Sequence, residues 1–276
     1  MGIAGSNAPV SSTMKTVLSP SGVTITKEGF LAATGVGTVA DTLAHKGYVG
    51  PADILDGETS FWIMYGSDRC DFPRMLRGLG SEYEITKTCF KPDSACRWIH
   101  ASIDALLEVV RQEPLDPDTL EEIVVRTFAS LVAPPYTRDD PRTMEETQFS
   151  VPYALAVAVY GYEPGPEWFK PERFSDPRIQ RLPGRVRLGR DEQADRVFPD
   201  MEIATLFAKD ARGRSFSRRV DFAKDSPQNP MTEEDLRLKF FRLSRKPLGE
   251  NKVPELHEAL MNLEQFSVAE LQSLLV

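Results

Sequence analysis

The sequence is short of cysteine and contains no long apolar run, and each shortage closes off a class of protein. Its three cysteines are Cys70, Cys89 and Cys96, and no two stand at Cys-x-x-Cys spacing. That is too few for a disulfide framework and argues for a reducing compartment. It argues equally against an iron–sulfur cluster, which needs spaced thiolates. No stretch approaches the roughly 20 consecutive apolar residues of a membrane span, so no membrane partner is expected. Basic charge is in deficit: 33 Lys and Arg stand against 41 Asp and Glu, a formal net charge of −8. Nucleic acid is therefore not the expected partner, and an anionic ligand would need a local basic cluster. Residues 1–20 carry neither the apolar core of a signal peptide nor the Arg-rich pattern of a transit peptide. The expected setting is cytoplasmic, or mitochondrial if a targeting segment has been lost.

What is present begins with one stretch, Cys89-Phe90-Lys91-Pro92-Asp93-Ser94-Ala95-Cys96-Arg97-Trp98-Ile99-His100 and onward through Asp104 to Leu107. It reads as the end of a strand, a proline-bent loop and a helix. At about 100° per residue, Arg97, His100 and Asp104 share one stripe, while Ile99, Ile103, Leu106 and Val110 share the opposite one. The pattern predicts a helix that buries one face and presents a cation, an imidazole and a carboxylate on the other. With Lys91 just upstream, the segment suits an anionic substrate that loses or gains a proton.

Around this stretch the periodicity predicts helices and strands in alternation. A helix over Thr26 to Lys46 starts at a Thr26 cap, with Gly35-Val36-Gly37 inside it and without the preceding strand of a dinucleotide fingerprint. His45 falls near its end, as a charge partner for the helix dipole. Helical pieces follow at Ala52 to Tyr65, with Phe61, Trp62 and Tyr65 as core aromatics, and at Pro73 to Arg77. Tyr83 to Phe90 alternates as a strand, and Ile123 to Phe128 has β-branched strand composition. A helix from Met144 to Tyr160 contains Pro152, tolerated near a first turn or at a kink. Arg185 to Arg190 is a strand, and Met201 to Ala208 with Ser215 to Phe222 forms a hairpin about Lys209 to Gly213. Arg212, Arg214, Arg218 and Arg219 read as its solvated face. Thr232-Glu-Glu-Asp235, Pro254 and the capping box Ser267-Val-Ala-Glu270 open the last helices, with His257 in a surface role. Helices interleaved with hairpin-joined strands indicate an α+β fold, not a doubly wound sheet.

The run Phe-Lys-Pro, a small residue, Cys-Arg, an aromatic, then His-Ala and Ile-Asp-Ala resembles the signature of the MmgE/PrpD family of lyases and epimerases. The resemblance implies a discontinuous all-helical domain with an inserted α+β domain, whose helices lie on a mostly antiparallel sheet. Residues 1–88 would be a helical domain without its N-terminal half, 89–228 the α+β domain, and 229–276 helices returning to the helical one. The implied activity is cofactor-independent and metal-free: dehydration of a 2-methylcitrate-like or alkylcitrate tricarboxylate. The runner-up is decarboxylation of cis-aconitate, and a third reading is a split-enzyme subunit or incomplete fragment acting as a binding or assembly partner. The implied catalytic residues are His100, Tyr153 and Lys91, and the implied substrate-binding residues are Lys15, Arg97 and Cys96. Asp104 would orient the imidazole. For Lys15 a solvated loop lysine is the alternative, and for Tyr153 a packed helix residue. The family's Leu-His-Pro-Gly turn is replaced by Leu18-Ser19-Pro20-Ser21-Gly22, which lacks the histidine. The implied partners are a small di- or tricarboxylate and a second copy of the chain, or a separate chain supplying the missing helices.

Overall fold

A computed structural model describes residues 28–64, 69, 71–113 and 115–275. The chain divides into two compact units at Lys87/Thr88. In the first, α1 (Glu28–His45) is followed by two short helices, α2 (Phe61–Met64) and α3 (Phe72–Leu76), and a 3-10 turn at Glu84–Lys87. Within α1, Thr38 and Thr42 donate their hydroxyls to the carbonyls one turn back, Thr34 and Thr38, at 3.0 and 2.9 Å. The Asp71 side chain caps α3 by accepting from the Arg74 N–H at 3.0 Å. Two expectations are corrected. The helical piece expected over 52–65 shrinks to the single turn of α2, because Gly57 at φ +79° closes a turn ahead of it. The strand expected over Tyr83 to Phe90 is the 3-10 turn and irregular chain instead. Ile85 is 78% exposed there, so its alternation has no buried face to serve. Thr26, Tyr65 and Lys15 lie outside the described residues.

The second unit is built on a four-stranded sheet: β1 (Leu120–Thr127), β2 (Val186–Arg190), β3 (Ala204–Asp210) and β4 (Ser215–Val220), in spatial order β2-β1-β3-β4. β1 pairs parallel with β2 and antiparallel with β3, and β3 pairs antiparallel with β4. The α+β class is thus observed, with a mixed sheet. Ile123, Val125 and Thr127 of β1 and Ala204, Leu206 and Ala208 of β3 point to the buried face, the period-2 pattern of a sheet covered on one side. α4 (His100–Gln112) lies on that face against β3 and β4. Asp210 makes the hairpin turn specific: it accepts from the Arg212 and Arg214 backbone N–H groups at 3.0 and 2.9 Å and from Arg214 Nε at 2.8 Å.

The helix expected over Met144 to Tyr160 is two, α5 (Met144–Phe149) and α6 (Val151–Val159). Ser150 sits between them at ψ 114°, accepting from the Tyr153 N–H at 3.0 Å, while Pro152 occupies the first turn, where its missing N–H leaves nothing unpaired. Every residue of α6 is buried, and it packs on α4. Short helices α7 (Pro171–Phe174), α8 (Pro177–Gln180) and α9 (Glu192–Val197) precede the hairpin, and α10 (Glu233–Leu248), α11 (Lys252–Met261) and α12 (Val268–Ser273) follow it. The capping box expected at Ser267/Glu270 is formed, and Thr232, expected to open a helix, closes a second one with Asp235. α10 is tied to the sheet-bearing body by Lys224–Asp235 at 2.9 Å and Lys246–Glu167 at 3.1 Å. Among the described residues no helix is long and apolar enough to cross a membrane.

Candidate functional site

The expected polar stripe of α4 exists, but it is covered. His100 is completely buried, like Ile99 and Ile103 on the opposite stripe, because the loop after β4 closes over it. The expectation of an imidazole presented to solvent is therefore corrected. The covering residue is Asp225, 1% exposed, whose Oδ2 lies 2.7 Å from His100 Nδ1. The contact has ion-pair distance without hydrogen-bond alignment. The other oxygen of Asp225 lies 3.1 Å from Arg97 Nε, and Arg97 pairs in turn with Glu202, immediately before β3. Asp104, expected to orient the imidazole, instead accepts from the Lys224 backbone N–H at 2.7 Å. It anchors the loop that carries Asp225.

At the other end of the imidazole, Nε2 lies 3.4 Å from the Ala95 carbonyl, and Lys91 Nζ donates to that same carbonyl at 3.0 Å. Lys91 is exposed. One continuous polar chain thus runs from the exposed Lys91 through the Ala95 carbonyl to His100, Asp225, Arg97 and Glu202. Both ring nitrogens of His100 thus face oxygens, Nδ1 the Asp225 carboxylate and Nε2 the Ala95 carbonyl.

Asp93, 9% exposed, lies in the loop that leads into this chain. Burial pushes its carboxyl up to about 6, with Asp104 and Asp225 adding to the shift and His100 and Arg242 opposing it. Burial likewise raises Asp104 and Glu202 above the ordinary carboxylate range, against the pull of the Lys224 N–H and of Arg97 respectively. Asp93, Asp104 and Asp225 thus feel one another's charge, and Asp225 and Glu202 do the same at the other end. Asp93 also forms part of the wall of a cavity of about 260 Å³, shared with Lys224, Asp235, Leu238, Lys239 and Arg242.

Of the residues marked in the sequence, the structure brings Lys91, Arg97 and His100 onto this chain. Cys96 makes different contacts: its Sγ lies 3.7 Å from the Tyr136 hydroxyl, its backbone N–H donates to the Gln148 carbonyl at 2.8 Å, and burial pushes its thiol up. Tyr153 is 2% exposed, donates its hydroxyl to the Trp168 carbonyl, and lines a second cavity of about 320 Å³ beside Asp140, Arg142 and Phe174. Burial raises its phenol well above the usual range. Lys15 lies outside the described residues. Three arginines of the expected solvated run are paired: Arg214 with Asp210, Arg218 with Glu108 on α4, and Arg219 with Asp221. Among the described residues no three His, Cys, Asp or Glu side chains are grouped to hold a metal ion.

Sequence reasoning missed Asp225, Glu202 and Asp93. Glu202 is 105 residues from its partner, and nothing in the local text of either acid marks it. Asp93 stood inside the motif, and its signal was the adjacent Pro92, which bends the chain inward.

A mixed sheet carrying a buried imidazole–carboxylate–guanidinium chain defines an α+β protein built around acid–base groups. The family model for the MmgE/PrpD C-terminal domain matches residues 94–265, which is more than half of the sequence. The chain belongs to the MmgE/PrpD family, and that membership points to lyase-type chemistry. A search of curated proteins found no match.

Proposed function

We propose that this protein is a cofactor-independent lyase that dehydrates a 2-methylcitrate-like or longer alkylcitrate tricarboxylate. The observation that carries the reading is the convergence of Lys91 and His100 on the Ala95 carbonyl, beside the raised carboxyl of Asp93. Dehydration removes a proton α to a carboxylate, forms a carbon–carbon double bond as the carbon–oxygen bond breaks, and returns a proton to the departing hydroxide. Negative charge builds next to groups already negative, so fixed cations lower the barrier. Lys91, exposed and held by its contact with Ala95, meets that charge. Asp93 carries the proton at the cavity wall, and His100, which has no access to solvent, sets the field behind it with Asp225 and Arg97. Roles for Lys15, Cys96 and Tyr153 rest on the family resemblance. Tyr153 would have to release the Trp168 carbonyl to reach a substrate.

The resemblance further implies one helical domain composed of residues 1–88 and 229–276 and a homodimer, and the sparse cysteines favour a cytoplasmic setting. Decarboxylation of cis-aconitate would use the same groups and is told apart by its product. The enclosure of His100 favours a further reading, in which the chain needs a partner to become active.

Proton NMR of the full chain in deuterated buffer, with 2-methylcitrate, citrate and cis-aconitate offered separately, tests the proposal. Loss of substrate with a new vinyl signal is expected, and the product separates dehydration from decarboxylation. Lys91→Ala and His100→Ala are each expected to lower the rate by about 100-fold or more. Wild-type rates in both would remove these assignments, and no turnover from a folded sample would remove the activity.

A further inference from the structure

The two nitrogens of His100 face groups from two different loops, and one helix holds both loops. Residues 91–95 offer the Ala95 carbonyl to Nε2, and the loop after β4 offers the Asp225 carboxylate to Nδ1. α10 reaches the first through Lys239, whose ammonium donates to the Lys91 carbonyl. It reaches the second through Asp235, which pairs with Lys224 at 2.9 Å. Asp235 and Lys239 stand four residues apart, the spacing that puts two side chains on one face of a helix.

The loop after β4 has other anchors. Asp104 accepts from the Lys224 N–H, Ser226 donates its hydroxyl to the Ala223 carbonyl at 2.8 Å, and the Asn229 amide donates to the Phe222 carbonyl at 3.2 Å. Residues 91–95 have fewer. Pro92 has no N–H and keeps the residue before it out of the helical region. Among the described residues, no backbone N–H of 91–95 donates to a backbone carbonyl, and none donates to the Lys91 carbonyl. The path of this loop therefore rests on two lysines. Lys91 Nζ closes it on the Ala95 carbonyl at 3.0 Å, and Lys239 holds the opposite end, with the buried Asp93 between the two ties.

Neighbours of both signs surround the Lys239 ammonium. Burial lowers its affinity for a proton, the charges of Arg242 and Lys91 add to that, and those of Asp93 and Asp225 oppose them. A charged donor on a carbonyl makes a stronger bond than a neutral one. Methionine at this position removes donor and charge at similar side-chain length, whereas arginine keeps both.

We propose that Lys239 is a positioning residue, which from α10 fixes loop 91–95 and so sets Lys91, Asp93 and the Ala95 carbonyl against His100. Its bearing on turnover rests on the lyase reading, whereas the clamp itself rests on the contacts alone.

Nitrogen-15 relaxation of the full chain tests the clamp without any substrate. K239M is expected to lower the backbone order parameters of Asp93, Ser94 and Ala95 from about 0.85 to below about 0.6, with those of α4 and the sheet unchanged. K239R is expected to restore them, and K246A, which removes a different tie of α10, to leave them as in the wild type. Should K239M fail to fold, K239Q carries the comparison. In the proton NMR assay, K239M is expected to lower kcat by about tenfold or more with KM within about twofold, and K239R to restore the rate.

Unchanged order parameters at 93–95 in K239M would overturn the clamp, as would an equal fall throughout α4 and the sheet. A loosened loop at wild-type kcat would overturn the positioning role. The two readings fail separately, because a loop loosened only in K239M, without turnover by the wild type, removes the lyase and keeps the clamp.

Discussion

At the scale of single residues, the costs lie in buried charge. The folded-state carboxyl of Asp93 is raised from 3.8 to about 6 chiefly by burial. The folded chain therefore holds the proton more tightly than the unfolded one. The corresponding stability is fully present below the unfolded carboxylate value and is lost as pH rises through about 6. Between about pH 4 and pH 7, the stability of Asp93→Asn relative to wild type should rise by on the order of 2–3 kcal/mol, readable by urea denaturation at each pH. A constant difference across that range would mean that Asp93 is solvated. Asp225 is a buried acid flanked by a guanidinium and an imidazole. Asp225→Asn should destabilise the fold by about 3–5 kcal/mol, because Arg97 loses the charge that matches it and the enclosed His100 ring loses its facing carboxylate. A loss below about 1 kcal/mol would show that the chain of contacts contributes little to folding.

At the scale of elements, the boundaries that matter are made by side chains that cap. Ser150 ends one helix's influence and begins another, and its hydroxyl also donates to the Arg138 carbonyl. Ser150→Ala should cost about 1 kcal/mol or somewhat more, seen as a lower melting midpoint with the circular dichroism unchanged. The start of α10 at Thr232 and the capping box of α12 were legible in the sequence because each is a four-residue pattern that acts locally. β1 and the hairpin were legible for the same reason: alternation and a glycine turn are local signals. The break at Ser150 was only half legible, since Pro152 announced a first turn or a kink without deciding between them. The strand misread at Tyr83 to Phe90 shows the limit of this approach. Alternation marks a face that wants burial, and whether anything buries it is decided elsewhere in the chain.

At the scale of the whole molecule, family membership was legible from one dense motif, while the site itself was only partly so. Lys91, Arg97 and His100 are neighbours in the text and neighbours in space. Asp225 and Glu202 were out of reach because only the fold brings them there. The tie between α10 and the body is expected to be weak where it is exposed. Lys246→Ala, removing one of the two lysines paired with Glu167, should change stability by less than about 1 kcal/mol. A larger loss in chemical denaturation would mean that α10 is held chiefly by that pair.

The polar chain beneath the motif also fixes an order of events. Arg97 waits 105 residues for Glu202, and Asp104 waits 120 for the Lys224 N–H. β1 likewise pairs with two strands that are both made long after it. On a ribosome, then, the helix bearing His100 emerges with its charges unmatched and stays so until the hairpin and the loop behind it have left the exit tunnel. Long-range closure of this kind is slow and entropically costly. Through the making of those 120 residues the nascent chain holds the recognisable motif without the site that the motif advertises.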